Sequence, residues 1–527
     1  MGGVFAFWSR GGDTGCMQGN SDPNVEFLDA AALVGHLVPA GSVYGFLGEH
    51  RRRLFPDVMF EDLFGSGRGR PSVPADVVAT VMLLQSLEGL SDRDAVEALR
   101  TDIRWKVAAG LSLADEGFHP TVLTLWRNRL RTSEAPERIF DAVRAVVAET
   151  GVLAKRTRRA LDSTLLDDAV ATQDTVTQLT SVIRRVRRRI PAAAGVAVSA
   201  HDYETGGKPA CAWDDPEARD ELVSGLVNDA LAILEHLDGT ELDNDDDAHL
   251  VGLLALVAGQ DVEAGDTEGT WRVARRVAPD RVVSTVDPEA RHAHKSISVY
   301  RDGYKAHVAV EPDTGIITAC DLTPANTPDG PVGVGLLGTE DQPVEVLGDS
   351  AYGSGPVRAD LADAHHTAVI KPWPLPTNRR LGADQFTRDD FDVDYQAGTV
   401  TCPNGQTVAI SPKGNATFGA RCGDCPLRSR CTASRTGRTF RFTEHDQLLA
   451  QARTDWRNRI GADDYRRYRP MVERSIAWIV TNGHRRVRYR GAERNRHALS
   501  VRAATLNLRR LINLGLTYTD RWALTPS

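Results

Sequence analysis

Between positions 74 and 88 the apolar residues Val77, Val78, Val81, Met82, Leu84 and Leu87 recur at helical spacing. Gly89 supplies a left-handed stop, and Ser91 a cap for a second helix over 92–100. A third helix is predicted across HPTVLTLWRNRLR, with Pro120 at its first turn and Arg127, Asn128, Arg129 and Arg131 near its end. Helix, Gly-containing turn, helix and basic third helix resemble a helix-turn-helix DNA reader. The same pattern also describes a plain three-helix bundle with a solvated basic end.

Strand patterns begin at ALDST, where Ala160 and Leu161 read as a short strand closing on Asp162. A helical stretch follows through TSVIRRVRRRI, then about a hundred residues, 190–290, with helical patterns but no evident chemistry, read as an insertion. In GYKAHVAVEPDTGIITAC, Tyr304, Ala306, Val308 and Val310 alternate with Lys305, His307 and Ala309, and Pro312 to Gly315 make a turn, a β-hairpin signal. His307 and Lys305 are expected as sheet-surface residues. A helix over 331–338, a strand over 344–347 running through Gly348 to Asp349, a helix over GPVRADLADAHH and a strand TAVIKP follow in order. The sum is a mixed α/β fold, a mixed five-stranded sheet flanked by helices. Asp349 stands where a strand must stop, as a turn former or as a ligand at a strand's carboxyl end.

At 527 residues, 41% hydrophobic and 25% charged, the chain has a globular composition and length enough for two to four domains. No segment has the uncharged apolar length of a membrane span, and the start lacks a secretory pattern, so a cytoplasmic, nucleoid-associated place is expected, with no membrane partner. The net charge of −8 argues against binding nucleic acid by bulk charge. Yet positions 456–527 hold sixteen Arg and no Lys against five acids, a balance of +11 that could face phosphates. The run HLDGTELDNDDDAH, 236–249, reads as a solvated acidic loop.

Of seven cysteines, Cys402, Cys422, Cys425 and Cys431 fall within thirty positions. One C-x2-C pair with two further cysteines suits tetrahedral zinc, a structural Zn²⁺, with four unliganded thiols as the alternative. Cys16, Cys211 and Cys320 are scattered and expected to be free.

In DDYRRYRPMVERSIAWIV, Tyr465, Arg469 and Glu473 are spaced by four and stack along one helix face, with Val472, Ile476, Ile479 and Val480 buried and Pro470 a warning of a kink. Asp162, Asp349 and Glu473, set in ALDST, GDSAYGS and RPMVERS, resemble the acids of the DDE transposases of bacterial insertion sequences. The resemblance runs from about residue 40 to 515 and includes GYKAHVAVEP, the Cys-rich segment, HRRVRYRG and LNLRRL.

The resemblance implies an RNase H-like core, with the first Asp on the first strand, the second at the end of the fourth and the Glu on a following helix. It divides the chain into a flexible start (1–25), a helical DNA-binding domain (26–150), core (151–190), helical insertion (191–290), core (291–372), Cys-rich insertion (373–455) and a last segment (456–527) with Glu473 and a basic helical end. It also implies two Mg²⁺ ions, with Mn²⁺ as a substitute, held by Asp162, Asp349 and Glu473 for nicking and strand transfer. The partners implied are double-stranded DNA, both transposon ends and target, and a second copy as a homodimer on DNA, with no small-molecule substrate.

The family pattern Tyr-x2-Arg-x3-Glu-x6-Lys is met at Arg469 but has Arg466 at the Tyr position and Val480 at the Lys position. Arg485 and Arg486 are substitutes for the missing cation; Arg488, Arg490, Arg127 and Arg129 complete the expected DNA-contacting set, and the run 184–189 is a further phosphate-holding candidate. A domesticated or inactive copy that only binds DNA is the nearest alternative. Glycoside hydrolysis by a carboxylate pair is a more distant one, which gives the basic end and the cysteines no purpose.

Overall fold

The computed structural model describes residues 17–21, 28–65, 69–276, 278–296 and 299–525, the side chains of 295 and 296 excepted. Of the start read as flexible, 1–16 and 22–25 lie outside the described residues. Within 17–21, Ser72 donates its N–H to the Met17 carbonyl at 2.9 Å, and Gly19 N–H donates to Ser72 Oγ at 3.1 Å.

After a one-turn helix Ala30–Val34 come six longer ones: α1 (Val43–Leu54), α2 (Ala75–Glu88), α3 (Asp92–Thr101), α4 (Ile103–Ala109), α5 (Thr121–Thr132) and α6 (Arg138–Thr150). Gly89 ends α2 at φ +74° and Ser91 Oγ caps α3, as the pattern predicts. The short α4, which the three-helix reading lacks, intervenes before α5; its Trp105, Val107, Ala108 and Ala109 are buried. Every residue from Ala75 to Ser86 is buried, so α2 is a central helix, covered on all sides.

The main sheet follows, with strands β1 (Arg158–Asp167), β2 (Arg291–Ser296), β3 (Val299–Glu311), β4 (Ile316–Pro324), β5 (Glu345–Gly348) and β6 (Thr367–Ile370). Interleaved are α7 (Thr175–Arg189), α8 (Pro216–Leu237), α9 (Asp245–Gln260), α10 (Asp329–Leu336) and α11 (Gly355–Asp363). Two long helices close the chain, α12 (Ala462–Val480) and α13 (Ala492–Asn513).

The sheet has six strands, where the pattern predicts five. At thirteen residues β3 is long enough to pair antiparallel twice along one edge, first with β2 and then with β4. Its other edge pairs antiparallel with β1, which pairs in parallel with β5, and β5 with β6. One face carries Ala160, Ala306, Val308, Val310 and Leu347 into a core shared with Tyr468, Val472 and Ile479 of α12, Leu508 of α13 and the buried face of α2. The N-terminal helices are therefore packed into the same core as the sheet. The other face carries Leu161, Ala309 and Val346 against Leu336, Tyr352, Val357 and Leu361 around α10 and α11.

The insertion packs α8 and α9 on α7 with a core of its own, including Val182, Ile183, Ile233 and Leu254. Its acidic run is a loop only in part, because Asn244 caps α9 and Asp245, Asp246 and Asp247 form that helix's first turn, where negative charge meets the helix dipole. The Cys-rich segment is likewise a separate small core around Phe391, Phe418 and Phe440. No helix among the described residues is long and apolar enough to cross a membrane.

Beyond β1, Asp167 exchanges backbone bonds with Arg485 and Val487 at 2.8 Å. Asp168 is buried with no hydrogen-bond partner on either carboxylate oxygen. The neighbouring Asp287 accepts from Tyr304 Oη at 2.7 Å and Gly491 N–H at 3.0 Å. Burial, and then the Asp287 charge, push the Asp168 carboxyl up to about 6. A raised carboxyl favours folding below the ordinary Asp range and loses that contribution as pH rises through about 6. Asp168→Asn is expected to be more stable than the native chain by on the order of 1 kcal/mol at pH 8, with the gain vanishing at about pH 3, below the ordinary Asp value of 3.8. Urea denaturation at the two pH values reads this; an equal gain at both would refute it.

Candidate active site

Three residue pairs link β1 to β5 in parallel: Arg158 with Glu345, Arg159 with Val346 and Ala160 with Leu347. Side chains two apart on a strand share a face, so Asp162 and Asp349, each two positions past the last pair, are presented on the same side of neighbouring strands. The sequence reading ended β1 at Asp162, but β1 continues to Asp167 because Asp162 to Asp167 keep pairing with Val308 to Gly303. It is β5 that stops, and its departure opens one flank of Asp162.

Asp349 is both of the things its position allows. Its Oδ1 accepts the Ala351 N–H at 2.8 Å and caps the short turn Ser350–Tyr352, while no donor bonds Oδ2 among the described residues. Asp162 Oδ1 accepts its neighbour's Ser163 N–H at 2.9 Å. Its Oδ2 faces Arg469, whose Nη1 and Nη2 both lie 3.1 Å away. Burial raises the Asp162 carboxyl above its ordinary range; Arg469 opposes that rise, and Asp349 adds to it.

Arg469 reaches Asp162 because α12 lies across β1, β3, β5 and β6. Tyr468, Val472 and Ile479 anchor its buried side, while Arg466, Pro470 and Glu473 are exposed. Pro470 sits inside the helix and removes the backbone bond that would reach the Arg466 carbonyl, in the turn before Glu473. Tyr465 lies between the acids: burial raises its phenol, Arg469 opposes, and Asp349 and Glu473 raise it further. Buried Tyr352, which the sequence reading passed over, lies below the pair, its phenol pushed well up by burial and then by Asp329, Asp162 and Asp349.

The structure thus brings Asp162, Asp349 and Arg469 together, with Glu473 one turn away on the solvent side. Hard carboxylate oxygens at a half-buried pair suit a divalent cation by donor chemistry. Among the described residues, no group of three or more His, Cys, Asp or Glu side chains is arranged to hold one.

On the reverse face Asp329 accepts from Ser163 Oγ at 3.0 Å and pairs with Lys305 Nζ at 2.9 Å. His307 is fully buried, where a sheet-surface residue was expected, because α10 covers that face. Its Nε2 lies 2.9 Å from Thr323 Oγ1, and burial lowers it to about 4, so it is neutral.

The expected DNA-contacting arginines are mostly engaged within the chain. Arg485 donates to Thr164 Oγ1 at 2.7 Å and the Leu165 carbonyl at 2.8 Å; Arg486 donates to the Asp168 and Ala169 carbonyls; Arg488 donates to the Leu90 carbonyl. Arg127 pairs with Asp92 and lies over Tyr489, and Arg129 lies over Phe64. Arg490 is exposed and makes no hydrogen bond or ion pair among the described residues. In the run 184–189, Arg184, Arg185, Arg187 and Arg188 donate to loop carbonyls, and Arg189 pairs with Asp246 and Asp247.

Cys402, Cys422, Cys425 and Cys431 line one small cavity with Phe391 and Phe418. Burial raises the Cys431 thiol, and the other three thiols add to the rise. Arg438 N–H points to Cys422 Sγ at 3.5 Å.

A family model described as a transposase DDE domain matches residues 401–512, and one described as a transposase domain (DUF772) matches 49–129. The matches support a DDE transposase of an insertion sequence. The first match takes in Arg469 and Glu473 but neither Asp162 nor Asp349. The second takes in α2, α3, α4 and much of α5. No curated protein and no solved structure matches the chain significantly. The families suggest transposition, and a DDE domain implies an enzyme that cleaves and transfers DNA.

Proposed function

We propose that this chain binds the terminal inverted repeats of an insertion sequence and catalyses metal-dependent cleavage and strand transfer of DNA. The observation that carries the reading is the β1–β5 register, which sets Asp162 and Asp349 on one face beneath α12. Setting aside the added edge strand β2, Asp162 lies on the first strand of the sheet, Asp349 at the end of the fourth and Glu473 on a following helix. That is the placement an RNase H-like core of this family requires.

Asp162, Asp349 and Glu473 would hold two Mg²⁺ ions, with Mn²⁺ as a substitute. Bound there, such ions neutralise the carboxylates and stabilise the attacking and leaving oxygens of in-line phosphoryl transfer. The chain's own part is to fix the donors. Ser163 N–H and Ala351 N–H each hold one carboxylate oxygen, orienting Asp162 and Asp349 before any ligand arrives. Glu473, exposed one turn beyond Arg469 on the same helix, would complete the set. Residues 26–150 read the transposon ends, with a second copy of the chain holding the other end. Of the expected DNA-contacting arginines, Arg490 is free to take a phosphate directly; Arg485, Arg486 and Arg488 brace the protein. Cys402, Cys422, Cys425 and Cys431, which line one cavity, would hold a structural zinc ion, and Arg438 N–H would orient the Cys422 sulfur.

Asp162→Asn is expected to bind transposon-end DNA within about twofold of the native chain and to lose nicking by at least about a hundredfold with Mg²⁺. Nicking at the native rate would remove Asp162 from the site. Arg490→Gln should lower affinity for all DNA sequences alike and reduce the salt slope by about one unit, whereas an unchanged slope would rule out its phosphate contact. Purified protein should carry about one zinc per chain, lost in Cys422→Ser. Four titratable free thiols in metal-free native protein would leave the cluster as thiols.

A further inference from the structure

Arg469 is 5% exposed, and its Nε is buried with no hydrogen-bond partner. Its grip on Asp162 differs from the two forked buried Arg–carboxylate pairs of this chain, although Arg51 likewise meets Asp76 through a single oxygen, at 3.0 Å. Arg138 holds Asp62 as a fork, with Nη1 on Oδ1 and Nη2 on Oδ2 at 2.5 and 2.6 Å. Arg159 holds Glu340 in the same way, with Nε and Nη2 on separate oxygens, both at 2.6 Å. A two-oxygen fork is the strong form of this pair. Arg469 instead places both Nη atoms on the single oxygen Asp162 Oδ2, each at 3.1 Å. The pair neutralises a buried acid, yet it leaves a donor unsatisfied and the contact long, so it is readily exchanged.

Asp162 Oδ2 is also the oxygen more open to a cation, since Oδ1 already accepts the Ser163 N–H. A guanidinium and a divalent ion cannot both occupy it, because like charges repel and the space is the same. We propose that Arg469 is a stand-in cation: it neutralises Asp162 in the ion-free chain, and metal binding displaces it toward a phosphate of bound DNA. This rests on the metal-dependent reading of Asp162 above. Arg469 is then a positioning residue whose planar fork, unsatisfied on Asp162, matches phosphate oxygens. Displacement couples the two ligands, so that each raises the affinity for the other.

The test is Mn²⁺ binding by calorimetry, without DNA, to the native chain, Arg469→Gln, Arg469→Lys and Asp162→Asn, with folding checked by thermal melts. Arg469→Gln should bind Mn²⁺ about tenfold tighter than the native chain, and Mn²⁺ should strengthen DNA binding in the native chain but not in Arg469→Gln. Arg469→Lys, which keeps the charge without the fork, should bind Mn²⁺ like the native chain. Unchanged or weaker Mn²⁺ binding in Arg469→Gln, with binding still lost in Asp162→Asn, would overturn the stand-in role and leave the metal reading standing. Mn²⁺ binding that is indifferent to Asp162→Asn would overturn both.

Discussion

The parallel pairing of β1 with β5 is the constraint on which the candidate site depends. Only three residue pairs make it, yet they set which residues of two segments nearly two hundred positions apart become neighbours. Because strand side chains alternate, a slip of one residue would send Asp349 to the face of Leu161 and Ser163 and leave Asp162 alone. The register is held from both sides. Leu347 and Ala160 are buried in one core while Val346 and Leu161 are buried in the other, so a slipped strand would lose burial on both faces. At the entry to the pair, Arg158 and Glu345 bond across it at 3.1 Å.

A second constraint ties the helix above that sheet to the N-terminal helices. The last carbonyls of α2 lack helical partners. They are met by side chains from beyond α12: His484 Nε2–H donates to Ser86 O at 2.9 Å, Asn482 Nδ2 donates to Leu87 O at 2.9 Å, and Arg502 also reaches Ser86 O. Burial holds His484 neutral at about 3, as a permanent donor in that place. A side chain at Gly89 would come within 2.0 Å of the Asn482 carbonyl, so this junction needs glycine for space as well as for its positive φ. Whatever engages the N-terminal helices is mechanically joined to the end of the helix that carries Arg469 and Glu473.

Helices with a clear apolar period and a sound cap were legible in sequence, as α2, α3 and the entry to α5 show, because period and cap are local properties. The hairpin turn at 312–315 and the acid at the end of β5 were legible for the same reason. Three things were not. The continuation of β1 past Asp162 depends on a partner strand 140 residues away, and nothing in LLD marks it as paired. The short helix α4 is fixed by burial of Trp105 against neighbours. The burial of His307 depends on α10, which covers it from another part of the chain. Of the candidate site, the strand-end place of Asp349 was legible from its setting, while the Arg469–Asp162 contact and the nearness of Tyr352 and Tyr465 arise only from packing.

Arginine placement reconciles an acidic chain with the proposed DNA substrate. The sequence counts charge, but two arginines with equal charge differ by what they bond. Arg189 and Arg127 meet carboxylates, which cancel their fields. Arg485, Arg486, Arg488 and Arg502 bond mainly to neutral carbonyls and a hydroxyl, so each keeps a full positive charge while being held in place. The field of such a group acts over roughly a Debye length of about 8 Å, well beyond contact distance. The basic C-terminal segment can therefore attract a polyanion without most of its arginines touching one. In the proposed function, the exposed Arg490 would contact DNA directly, as would Arg469 once its partner on β1 is taken.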